Sequence, residues 1–164
     1  MRIHPMKWLH VASLLFITLV VTGGTAYRVN EQSGKVVKII DGDTFDMLTR
    51  ENKTVRIRMN GIDCPERKQD YYQVAKDALG NLIFQKNVEL QVTGRDRNKR
   101  LIAIVFCDRQ NINLAMISHG FAWHYKKYSS DSSFAKAELE ARKNRLGLWK
   151  MNKPVPPWEF RTKK

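Results

Sequence analysis

Between Lys35 and Met59 the chain is patterned as strand. Lys35 to Ile40 and Thr44 to Leu48 are β-branched and apolar, with Asp41-Gly42 turning between them, a short-range signal for a hairpin. Residues 53 to 59 then alternate, Val55, Ile57 and Met59 on one face and Arg56 and Arg58 on the other. That is the period of a strand with one wet side. From about Gln69 to Gln85 the period changes, and Val74, Ala75, Ala78, Leu79, Leu82 and Ile83 fall on one helical stripe. Val88 to Thr93 and Leu101 to Phe106 read as two further strands, joined by the basic loop Arg95 to Arg100. Ile112 to His119 is a short helix closed by Gly120. Ser132 or Ser133 caps a longer helix that runs to about Leu146 and stops at Gly147. Pattern alone specifies an α+β domain, and 164 residues suffice for one domain with a real core.

The turns carry unusual chemistry. Asp41-Gly42-Asp43-Thr44 is followed by Arg58-Met59-Asn60-Gly61-Ile62-Asp63-Cys64-Pro65-Glu66, and Arg100 sits in the later basic loop. Each piece has a bland explanation. Asp-Gly is first of all a turn, Pro65 can simply stop a strand, and Arg58 can be one solvated side chain. Together they supply what phosphodiester hydrolysis requires: hard oxygen ligands for a divalent cation, a general base, and guanidinium groups against developing charge.

Composition narrows the partner. Lys and Arg total 29 against 16 Asp and Glu, a formal net charge of +13, which implies a polyanion, either nucleic acid or an anionic membrane surface. Between Trp123 and Tyr128 aromatic residues interleave with lysines; they suit stacking on unpaired bases, and equally suit a core. No Cys-x-x-Cys or His-x-x-x-His pattern supports a structural zinc site, and no Gly-x-x-x-x-Gly-Lys loop supports an ATP-driven enzyme.

Residues 1 to 26 have the form of a secretory signal. Arg2 and Lys7 precede an apolar run from Val11 to Val21, and Gly24-Thr25-Ala26 offers small residues for cleavage. The apolar run is shorter than the roughly 20 residues that span a bilayer. The expected location is therefore secreted or periplasmic, with a membrane tether through an uncleaved leader as the alternative. Export would permit a bond between Cys64 and Cys107, which a domain of this size does not need. Pro154-x-x-Pro157 reads as a stiff tail laid against the body with Trp158 as anchor, in preference to a ligand for a proline-binding domain.

The motifs Asp-Gly-Asp-Thr, Arg-x-x-Gly-Ile-Asp-x-Pro-Glu and Asp-Arg-x-x-Arg resemble the staphylococcal nuclease-like (thermonuclease) family. Gly120-Phe-Ala-Trp-His-Tyr-x-x-Tyr128 and Gly147-Leu-Trp149 extend the likeness over about residues 34 to 158. The resemblance implies a five-stranded OB-fold barrel with about three packed helices. The expected organisation is a leader over 1–26, a flexible polar lead-in over 27–33, the nuclease-like domain over 34–150 and a Pro-rich basic tail over 151–164.

It also implies roles. Asp43 and Asp63 would ligate Ca²⁺ through their side chains and Cys64 through its carbonyl, with Asp41 orienting them from behind. Glu66 would be the general base, and Arg58 and Arg100 would grip the scissile phosphate. Arg97, Tyr125, Lys126 and Tyr128 would contact the substrate, a DNA or RNA strand, single strands preferred. The implied protein is a monomer with no stable protein partner, touching membrane only through an uncleaved leader. The chain departs from the family where Asn98-Lys99 replaces the usual Tyr-Gly. Asn98 tolerates positive φ, and a turn slipped by one residue leaves both Arg97 and Arg100 as candidates to face the phosphate. Lys126 likewise stands where the family places one substrate-side tyrosine. Two rivals remain: a non-catalytic OB-fold nucleic-acid binder, and a cationic envelope protein that binds anionic polymers by net charge.

Overall fold

The computed structural model describes residues 31–162; the expected leader (1–26), residues 27–30 of the lead-in and residues 163–164 lie outside them. The elements in order are β1 (Glu31–Ile39), β2 (Thr44–Thr49), β3 (Thr54–Met59), β4 (Ile62–Asp63), α1 (Tyr72–Ile83), β5 (Asn87–Arg95), β6 (Leu101–Cys107), β7 (Gln110–Asn111), α2 (Ile112–Ser118), β8 (Trp123–His124), α3 (Ser132–Lys143), a 3-10 turn (Gly147–Lys150) and α4 (Pro157–Thr162). Five long strands hydrogen-bond in the order β3-β2-β1-β5-β6, and parallel pairing of β3 with β6 closes them into a barrel. This is the OB-type α+β architecture, with helices packed on a mainly β core. β1 opens earlier than its polar composition suggests. Gln32 and Ser33, placed by sequence in the lead-in, pair with Leu90 and Glu89 of β5, because an antiparallel neighbour rather than local propensity sets where a strand starts.

Closure depends on bends. Register shifts between Val36 and Lys38 in β1 and between Val92 and Gly94 in β5 supply local bulges, which increase twist and let a short sheet meet itself. The interior is filled by alternate residues: Ile57 and Met59 from β3, Val88 and Leu90 from β5, and Leu101, Ala103 and Val105 from β6. α1 adds Ala75, Leu79 and Ile83 from the predicted stripe. The first three residues of the predicted helix segment, Gln69 to Tyr71, are instead turns, and Tyr71 takes a left-handed φ of 69° as the cap. α3 is capped by Asp131, one residue before the expected serines, whose carboxylate accepts from Ser133 N at 2.8 Å. No helix of the described residues is long and apolar enough to cross a membrane. Cys64 and Cys107 are both buried and both free thiols.

One buried side chain ties the helical layer to the strand that leads into the acidic segment. Asn113 of α2, fully buried, accepts from Val105 N at 2.9 Å and donates to Asn60 O at 2.8 Å. Asn60, between β3 and β4, also donates from its own amide to Ala103 O at 2.8 Å. The position of Gly61–Glu66 is thus set by the barrel wall, not by the loop itself. Replacing Asn113 by Ala leaves a buried N–H and a buried C=O unpaired, each worth about 1–3 kcal/mol. Asn113→Ala is expected to lower the unfolding free energy by about 2–3 kcal/mol in urea titrations.

Candidate active site

The β2–β3 register places Thr44 opposite Arg58. Asp43, one residue before Thr44, therefore sits beside the arginine, and its carbonyl accepts from Met59 N at 2.8 Å. The Asp41–Asp43 turn is pressed onto the next segment. A Cβ added at Gly42 would lie 2.8 Å from Cys64 Cβ and 3.0 Å from Ala75 Cβ, so only glycine allows this approach. It lets Cys64 N donate to Asp43 Oδ2 at 2.8 Å. Asp63 is held by its own short ladder, in which β4 pairs with β8 and Asp63 faces Trp123.

These supports bring two carboxylates to one guanidinium. Asp43 and Asp63 are 5% and 1% exposed. Arg58 donates from Nη2 to Asp63 Oδ1 at 2.9 Å, while its Nη1 forms an ion pair with Asp43 Oδ1. Arg58 was expected on a wet face, yet its side chain is only 16% exposed; alternation assigns a face but not its depth. Asp41 joins through its Oδ1, which accepts from Asp43 N at 3.1 Å.

Charge is crowded here, and burial sets its sign. Burial and the neighbouring Asp43 charge push the Asp41 carboxyl up to about 7. Burial also raises Asp63, outweighing the pull of Arg161 and Arg58. The Cys64 thiol is pushed well above its usual range, chiefly by burial, so its side chain is neutral packing. Burial opposes the charge on Arg58, but Asp43 and Asp63 outweigh it and raise its pKa.

Glu66 reaches the cluster through a residue that local sequence spacing did not reveal. Arg161 of α4 donates to Glu66 Oε1 at 2.6 Å, to Asp63 Oδ2 at 2.8 Å and to Asp63 Oδ1 at 3.2 Å. Arg58 and Arg161 stand as positive groups on a cluster of four carboxylates (Asp41, Asp43, Asp63, Glu66). Among the described residues no three His, Cys, Asp or Glu side chains converge as a ready-made metal cage. The donors that do converge are hard oxygens, and the two guanidinium groups drawn to them mark where positive charge is favoured. That chemistry fits an oxygen-seeking divalent ion that keeps several of its waters, with Asp43 and Asp63 as the buried carboxylates at hand.

Comparison with known proteins shows the family. The family model described as staphylococcal nuclease homologue matches residues 56–151. The chain belongs to the staphylococcal nuclease family. It is 40% identical over 148 residues to a Haemophilus influenzae protein named uncharacterized endonuclease, covering 90% of this chain and 83% of that one. It is 39% identical over 132 residues to a protein of the same name from Escherichia coli O157:H7, covering 80% and 86%. A micrococcal nuclease from Shigella flexneri is 36% identical over 139 residues, covering 78% and 79%. A staphylococcal-type nuclease acts on nucleic acid, which accounts for the basic surface around an acidic centre.

The arginine loop of this staphylococcal nuclease relative differs from expectation. The left-handed position is Lys99, with φ 63°, so the turn keeps its place and does not slip to Asn98. The Asp96 carboxylate organises it, accepting from Asn98 N and Arg100 N at 2.9 Å each and from Arg100 Nε at 2.7 Å. Arg97 is exposed and Arg100 half-buried. Arg100 is therefore the ordered one of the pair, and among the described residues its ion-pair partner is Asp96, not one of the site's carboxylates.

The aromatic segment divides between the two roles left open by sequence. Trp123 is core, 1% exposed. Tyr125 stacks face to face on Trp158, centroids 5.1 Å apart, and meets Tyr128 edge-on at 4.9 Å. Tyr128 is exposed with Lys127 over its ring, and Lys126 lies 3.7 Å from the buried Glu138. A groove of about 660 Å³ runs along Tyr125, Lys126, Arg142, Trp158 and Arg161. The acidic pair does not line it; Arg161 belongs to both. Trp158 and Arg161 are three apart on α4, the spacing that puts two side chains on one helix face, but nothing in the sequence links that face to the acids.

The raised Asp41 carboxyl gives a pH test. Its unfolded value is near 3.8 and its folded value about 7, so over that interval the folded protein holds a proton that the unfolded chain has released. This contribution is fully present below the unfolded value and lost as pH rises through the folded one. With chelator present, unfolding free energy should fall across the interval, and Asp41→Asn, which cannot titrate, should make the fall shallower.

Proposed function

We propose that the protein is an exported, Ca²⁺-dependent endonuclease that hydrolyses DNA and RNA to 3′-phosphorylated products and prefers single strands. The observation that carries this reading is the Asp43–Arg58–Asp63 arrangement with Glu66 beside it. Asp43, Asp63 and the Cys64 carbonyl would hold the ion, which supplies Lewis-acid polarisation of a phosphate oxygen and a docking point for water. Glu66, about one-third exposed, takes the proton from an attacking water, whose oxygen bonds to phosphorus as the bond to the 5′-oxygen breaks. Arg58 stabilises the charge added at phosphorus, more strongly in the transition state than in the ground state. Arg100 is the second candidate for the phosphate once it leaves Asp96. Every residue of the site comes from one chain, so the reading needs no partner subunit.

Export rests on the leader-like residues 1–26, and amino-terminal sequencing of protein recovered outside the cytoplasm tests it. Preference for single strands rests on Tyr128, exposed and preceded by Lys126 and Lys127, as a base platform.

The chemistry is tested with the full chain and labelled single-stranded DNA or RNA, with Ca²⁺ and with EDTA. Cleavage should require Ca²⁺ and leave 3′-phosphate ends. Arg58→Ala and Glu66→Gln should each slow turnover at least about a hundredfold, the size of one lost charge contact in a water-poor site. Circular dichroism should show both variants folded, with Arg58→Ala unfolding at lower urea because it leaves Asp43 short of its partner. Wild-type rates in both would remove these residues from the reaction; binding without cleavage in the parent would favour the non-catalytic reading.

A further inference from the structure

The C-terminal segment reaches the acidic centre by contacts that the nuclease reaction does not require. We propose that Arg161 and a divalent cation compete for Asp63 and Glu66, so that the segment from residue 152 to residue 162 is a latch which cation loading opens. The proposal rests on the metal site put forward above.

Three contacts tie the segment to the candidate site, while buried Pro157 and the packing of Trp158 near Trp123, Ala141, Leu148 and Trp149 also seat it on the body. Gln69 uses both ends of its amide: Oε1 accepts from Glu66 N at 2.9 Å and Nε2 donates to Val155 O. Trp158 lies parallel on Tyr125 at an interplanar angle of 1°. Arg161 straddles both oxygens of Asp63 and takes Glu66 as well. α4 has only six residues, too few to be stable as an isolated helix, so these contacts hold it in place. Each anchor sits on a part of the candidate site: the Glu66 turn, the Tyr125 platform, or the carboxylates.

The competition follows from which oxygens are taken. Asp63 Oδ1 already serves Arg58 and Arg161, and Oδ2 serves Arg161 alone. Of the two guanidinium groups Arg161 is the exposed one, 38% against 16% for Arg58. An ion arriving from solvent therefore meets Arg161 first and must take over its oxygens. Exchanging one positive charge for two suits a cluster in which three carboxylates, Asp43, Asp63 and Glu66, face two arginines, whereas keeping both cations on one carboxylate places like charges together. Once Arg161 leaves, one of the three fasteners is gone and the Trp158 ring is freer to lift from Tyr125. That exposes a flat aromatic face beside the groove, where a base can stack. Trp158 thus covers Tyr125 and Arg161 covers the acids.

The test measures binding, not turnover. Ca²⁺ affinity is determined by calorimetry on the full chain, as wild type, Arg161→Ala, Trp158→Ala and Asp63→Asn, while the indole N–H resonance of Trp158 is followed through the titration. Removing the competitor should tighten Ca²⁺ binding about tenfold in Arg161→Ala, the exchange of one charge-assisted contact. Trp158→Ala, which loosens the same segment from its other anchor, should tighten it less but in the same direction. In wild type the Trp158 resonance should move as Ca²⁺ binds; in Arg161→Ala it should start near its loaded position. Equal or weaker affinity in both variants, with Asp63→Asn abolishing binding, overturns the latch and leaves the metal site standing. Absence of Ca²⁺ binding in wild type and Arg161→Ala alike overturns both.

Discussion

Arg58 is the residue on which the acidic centre depends. Two carboxylates in near-complete burial, Asp43 and Asp63, would each lose several kcal/mol of hydration if left unpaired, and burial acts on Asp63 in that sense even with its partners present. One guanidinium between them makes the arrangement tolerable. Its position comes from strand register: Thr44 faces Arg58 across β2–β3, and a slip of one residue would send the arginine to the other face of the sheet. The barrel therefore supplies the precision. Closure of β3 onto β6, the Asn113 bridge and the β4–β8 pair prevent that register from drifting.

The same constraint explains why small residues matter at the mouth of the barrel. Gly42 lets the Asp41–Asp43 turn lie against Cys64, so that a backbone N–H reaches Asp43 and a buried thiol packs behind it without charge. At the opposite end of the helical layer, Gly120 and Gly147 come so close that a Cβ on either would meet backbone at 2.2–2.3 Å. This seats Trp149 edge-on against Trp123, centroids 5.2 Å apart, and Trp123 is the residue that pairs with Asp63. Packing far from the acids is thus connected to them by one continuous ladder.

Much of this was legible in the sequence, for reasons that also set its limits. Period-two alternation reports one-sided burial, so β3 and β6 could be read directly; the helical stripe of α1 could be read for the same reason. The acidic motifs and Arg58 could be picked out because each lies in a short run of sequence, but what brings them together, the β2–β3 register, the Asn113 bridge and the β4–β8 pair, is long-range. Arg161 could not, since 98 positions separate it from Asp63 and 95 from Glu66, and an ion pair over that distance leaves no periodic trace. The start of β1 depended on β5, and the helix α3 took Asp131 rather than a serine because a carboxylate is at least as good an acceptor at that position. Lys99 holds a left-handed conformation that propensity assigns to Asn98; the Asp96 carboxylate, accepting two backbone amides and a guanidinium, outweighs the side-chain strain.

A strongly basic protein with an acidic centre solves two problems at different ranges. The net charge of +13 favours approach of a polyanion, acting over the roughly 8 Å that physiological salt leaves unscreened. At contact distance the requirement reverses, because a phosphate brought beside Asp43, Asp63 and Glu66 meets like charge in a poorly hydrated site. Positive charge has to stand between them before the linkage can dock. Arg58 is committed to Asp43 and Asp63 and is nearly buried, so it cannot also meet the whole of that demand. The remainder must come from groups that can change partners: Arg100, now bound to Asp96, Arg161, now bound to Asp63 and Glu66, or a cation. On the proposed reading, substrate entry at this centre is an exchange of counter-charges: Arg58 stays with Asp43 and Asp63, while Arg161 gives up Asp63 and Glu66 or Arg100 gives up Asp96.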